Sequence, residues 1–62
     1  MTAATGIQLT QAMIAALDAE ERAWRWECTS AQRGDERARQ SAQRAGKKAR
    51  RAFLDAVAEA RR

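Results

Sequence analysis

Arg37, Arg44, Lys48 and Arg51 follow one another at spacings of seven, four and three residues, the rhythm that returns a side chain to the same side of an α-helix. Along such a helix they span about 21 Å at the usual rise per residue. Lys47 stands beside them and Arg62 continues the line. Fixed cations at this pitch are suited to charge-assisted hydrogen bonds with successive phosphates of a nucleic acid, or to an acidic protein face. Contacts of that kind set position without reading base sequence. No aromatic residue is interleaved among them, so base stacking from the stripe itself is not expected.

The stretch ERAWRWEC, residues 21–28, holds both tryptophans of a chain with one other aromatic residue. Two positions apart on a helix, Trp24 and Trp26 point about 200° away from each other. Projection gathers Leu9, Met13, Ala16, Leu17, Trp24, Cys28 and Ala31 on one side, which makes Trp24 the expected core tryptophan. Trp26 falls on the other side with Ala12, Ala15, Ala19, Ala23 and Arg22. An indole there can stack on a base, anchor a protein interface or lie under the Arg22 guanidinium; otherwise it packs on the alanine strip or is simply an exposed residue. Trp26, Arg22 and Arg33 are therefore candidate auxiliaries to the basic stripe.

Enzymatic chemistry has little to work with. The chain has no histidine and no tyrosine, and no nucleophile, metal or phosphate-loop pattern. Cys28 has no thiol or imidazole partner and reads as a small packing residue. The tripeptide Arg33-Gly34-Asp35 looks like an adhesion motif, but a helix stop followed by a helix start accounts for it. The expectation is a protein that is not an enzyme, with no cofactor, no metal and no small-molecule substrate.

The elements that must carry these residues are helical. Proline is absent, glycine occurs three times, and Ala, Arg, Glu and Gln dominate. Thr5 with Gln8 has capping-box spacing and Thr10 is a second candidate cap. Gly34 suits a left-handed helix end and Asp35 the cap of a new helix, with Glu36 adding negative charge to its first turn. The sequence predicts one all-α domain over 1–62, with helix 1 at about 8–32, a turn at 33–35 and helix 2 at about 36–61. These pack as an antiparallel two-helix hairpin; a single unbroken helix through Gly34 is the competing form.

Ala38, Ala42, Ala45, Ala49, Ala52 and Ala56 form a seam at alternating spacings of four and three, widened by Phe53, Val57 and Ala60. In the hairpin Trp24 and Cys28 are expected to fill the space over Ala38, Ala42 and Ala45. Leu9, Met13 and Leu17 are expected to meet Phe53 and Val57. On the exposed sides, Asp18 with Arg22 and Glu21 with Arg25 are spaced as ion pairs. Glu20 and Glu27 are placed to meet Arg39 or another base across the hairpin or a subunit boundary.

Sixty-two residues bury too little to be more than marginally stable alone, and one cysteine cannot supply a disulfide. Oligomerisation is the remaining common support. Ile7, Ile14 and Leu54 lie on the flanks, where a second copy completes a dimeric four-helix bundle or where another protein docks.

The net charge of +4 is unevenly placed: residues 1–32 carry two arginines against four acids, and residues 33–62 carry ten Lys and Arg against four acids. The opening 21 residues have neither a basic start nor a continuous apolar run, and the basic helix lacks a bulky apolar face for lipid. A cytoplasmic protein with no membrane contact is expected. The leading functional reading is a small regulatory protein binding the RNA or DNA backbone through the second helix. The other is an adaptor or inhibitor, of the phage or plasmid regulator type or a minor subunit of a large assembly, docking on an acidic protein surface with Trp26 as its anchor.

Overall fold

The computed structural model describes residues 8–62. Helix α1 spans Gln11–Arg33 and helix α2 spans Glu36–Ala60, and the two pack against each other as a hairpin. Thr10 is extended and its hydroxyl accepts from the Met13 N–H at 3.1 Å, so the first turn is capped. Thr5 and Ile7 lie outside the described residues.

The reversal is local chemistry. Gly34 adopts φ 72° and ψ 22°, a conformation that a side chain would strain. Its N–H donates to the Ala31 carbonyl at 3.1 Å, and the Asp35 N–H donates to the Ser30 carbonyl at 2.9 Å, the paired closure that satisfies the last carbonyls of a helix. One residue later the Asp35 carboxylate accepts from the Ala38 N–H at 3.1 Å and starts α2. Glu36 in the first turn and Arg33 in the preceding last turn each complement the dipole of their own helix.

The seam between the helices is built of small side chains. On α1 the buried residues are Met13, Ala16, Ala23 and Ser30; on α2 they are Ala42 and Ala49. Glu20 and Glu27, both half-buried, complete the alternation of three and four on α1. A Cβ built on Gly46 stands 3.7 Å from the Ala23 Cβ, which fixes how close the two backbones run and sets these residues level along the hairpin. Met13 is the large side chain that is fully buried, 1% exposed. It sits near the open end, where Phe53, Ala56 and Val57 of α2 are half-buried.

This seam corrects the expected one. Trp24 is not in the core: it is 63% exposed, more than Trp26 at 46%. Leu9, Leu17 and Ala31 are exposed as well, and Cys28 is half-buried. The contact line on α1 is turned by roughly 60° from the side holding the largest apolar residues. Helices that approach closely enough for an alanine to meet a glycine leave no room for an indole between them. On α2 the alanine seam is half right. Ala42 and Ala49 are buried, Ala38, Ala45 and Ala56 half-buried, and Ala52 and Ala60 exposed, because Gly46 and Phe53 share the contact line with the alanines.

Among the described residues the buried apolar set is Met13 with four alanines, so Met13 supplies much of the transferable surface of the hairpin. Met13→Ala is expected to destabilise by about 2 kcal/mol or more, lowering Tm by roughly 10 °C. Leu9→Ala should change Tm little. Thermal unfolding followed by circular dichroism checks both.

Candidate nucleic-acid interface

Arg37, Arg44, Lys48 and Arg51 are all exposed, on the side of α2 opposite Ala42 and Ala49. Helix geometry requires this: the cations cluster within about 60° of arc, and the buried alanines lie roughly 140° from the middle of that arc. The hairpin contact therefore consumes none of them. Their local partners are weak. Arg44 donates to the Ser41 hydroxyl at 3.2 Å, and Arg51 lies 3.4 Å from Asp55 with both side chains in solvent. No ion pair or hydrogen bond engages the side chains of Arg37 or Lys48 among the described residues.

The three auxiliary candidates are exposed too but are not gathered with the stripe. Arg22 and Trp26 belong to α1, on a side turned away from the outer face of α2. Arg33 is the last residue of α1, next to the turn, and Arg37 lies just beyond it in the first turn of α2. Of the three, it is the one nearest the stripe in the chain.

Arg39 lies on the other side of α2, toward α1. Its guanidinium grips Glu36 through two hydrogen bonds of 3.0 and 2.6 Å and reaches Glu27 of α1 at 4.0 Å. Gln40 adds a bond to Glu36 at 3.2 Å. The bonds from Arg39 hold the Glu36 carboxyl below its ordinary range, and the same bonds keep Arg39 still more firmly protonated. Glu27 also accepts from Gln43 at 2.8 Å across the helix pair. Glu27 thus meets Arg39 as its spacing suggested. Glu21 pairs with Arg25 at 2.7 Å, whereas Asp18 and Arg22 form no ion pair among the described residues.

A second feature lies beside the seam. An open groove of about 370 Å³ runs along one side of the hairpin, walled by Glu20, Trp24 and Glu27 of α1 and by Gln43, Lys47 and Arg50 of α2, with Ala23, Ala42 and Gly46 at its base. Sequence reasoning missed it by placing Trp24 inside. Gly46, a glycine in mid-helix, was the available signal. Among the described residues no group of His, Cys, Asp and Glu is placed to hold a metal ion, and no helix is long and apolar enough to cross a membrane.

Comparison with protein-family models, with curated proteins and with solved structures finds no match for the chain.

Gly46 is not required by the hairpin packing, since an added methyl would make an ordinary contact with Ala23. Gly46→Ala is expected to stabilise the fold by about 0.5 to 1 kcal/mol through helix propensity, read as a rise in Tm. Gly34→Ala, at positive φ, should lower it.

Proposed function

We propose that the chain is a small, non-enzymatic regulatory protein of the cytoplasm that binds the backbone of RNA or DNA through the outer face of α2, as a dimeric four-helix bundle of two hairpins. The observation that carries this reading is the exposure of Arg37, Arg44, Lys48 and Arg51 along one side of a rigid helix, opposite its buried residues. A helix holds such cations at fixed intervals, so they meet a phosphate chain with little further ordering. Arg33 lies nearest the row in the chain, beside the turn; Trp26 and Arg22 offer a separate contact on α1.

The charge distribution supports the same reading. Helix α2 carries seven Lys and Arg against three acids, while α1 carries three Arg against four acids. A field with one positive edge steers a polyanion to that edge and away from the other helix. The second reading, docking on an acidic protein surface, draws on the 46% exposure of Trp26, since an exposed indole serves as an interface anchor.

Binding to short RNA and DNA duplexes, measured by fluorescence anisotropy across a salt series, is expected to give a log-log slope of about −3 to −4 for four neutralised phosphates. Arg44→Gln and Lys48→Gln should each weaken binding alike on all sequences and reduce the slope by about 1. Dissociation constants above about 1 mM for both nucleic acids at low salt would end the nucleic-acid reading; the loss of an acidic protein partner on Trp26→Ala would then favour the second.

A further inference from the structure

The groove beside Trp24 opens onto a face unusual for a protein of this size. Leu17 lies seven residues before Trp24 and so shares its side of α1, with Ile14 three residues further back; Leu54 lies seven residues after Lys47 on α2. All four of these apolar side chains are exposed, Leu54 at 56%. The hairpin has put mainly small residues inside and left four large ones on this side, which is the pattern of a face that another surface covers.

The charges on the face say which surface. Its α1 edge carries Glu20, with Glu21 beside it paired to Arg25, and its α2 edge carries Lys47 and Arg50. A second copy packing through the same face can be related by a two-fold axis in either of two directions. With the axis across the helices, α1 lies on α1 and α2 on α2, acids against acids and bases against bases. With the axis along the helices, α1 of each copy lies antiparallel on α2 of the other, and each acidic edge meets a basic one.

The second arrangement also fits in register. Rotation about an axis parallel to the helices moves no residue along them, so the levels within one hairpin become the levels between two. Ala23 is level with Gly46, which sets Trp24 of one copy over the Gly46 groove of the other. By the same offset Glu20 comes within one residue of the level of Arg50, Glu21 within one residue of that of Lys47, and Leu17 falls within a turn of Leu54. The small residues Ala42 and Gly46 at the base of the groove thus stand opposite the largest side chain.

We propose that two copies pair through this face with the two-fold axis along the helices, each Trp24 seated over the other copy's Gly46 and the Glu20–Glu21 edge of each on the Lys47–Arg50 edge of the other. This rests on the dimeric bundle proposed above and names its interface. The basic stripe on the outer side of α2 stays outside the paired surface.

Sedimentation velocity over a concentration series tests it, with helicity by circular dichroism checking that each variant folds. Trp24→Ala is expected to weaken pairing about 30-fold or more, as for a central anchor, and Trp26→Ala to leave it unchanged. The pairs Glu20→Lys with Glu21→Lys, and Lys47→Glu with Arg50→Glu, should each weaken it about tenfold or more. All four changes in one chain should restore it. A wild-type dimer indifferent to Trp24→Ala, or to either charge reversal, overturns this interface while the dimeric reading stands. A wild-type monomer at every concentration overturns both, and the salt-dependent binding of nucleic acid is judged separately.

Discussion

The rest of the molecule depends on how closely two helix backbones run where Ala23 faces Gly46. Small residues at Ala16, Ala23, Ser30, Ala42 and Ala49 permit that approach, and the approach in turn leaves Met13 as the large side chain fully buried between the helices, with Phe53 half-buried near it. An alanine seam gains little by transfer from water, so dispersion between closely spaced backbones contributes a larger share than in an ordinary core. The displaced apolar residues do not vanish. They are carried to the sides, where Trp24, Leu17, Ile14 and Leu54 are exposed.

The charge pattern follows the same division. The inner line of α2 takes alanine, Gly46 and Phe53; its outer side takes the row from Arg37 to Arg51. Glu27 bridges the two helices through Gln43 and Arg39, so one acid of α1 helps fix the register while the remaining cations of α2 stay on the surface. Most ion pairs here lie in solvent and add little to the fold. The charges themselves are segregated, with a positive outer edge on one helix and an acidic edge on the other.

Several features could be read directly from residue types. Gly34 followed by Asp35 specifies a helix end and a helix start because one needs a left-handed conformation and the other offers a capping carboxylate. The structure uses both in that way. The spacing of Arg37, Arg44, Lys48 and Arg51 placed them on a common side, and helix periodicity alone guarantees it. Glu27 meeting Arg39 was legible for a similar reason. The groove was not: its walls come from both helices, and hydrophobicity alone points Trp24 inward without regard to its size.

By itself the sequence determined two helices, the point where they reverse, and a cationic row on the second, since caps, glycine conformation and helical period act within a few residues. Only the tertiary structure decided which side of α1 faces inward. That choice balances the transfer energy of a large side chain against the dispersion energy released when two backbones come close, and a helical projection counts the first without the second. Trp24 and Ala23 are neighbours in the chain; packing against Gly46 admits the alanine and turns the tryptophan out.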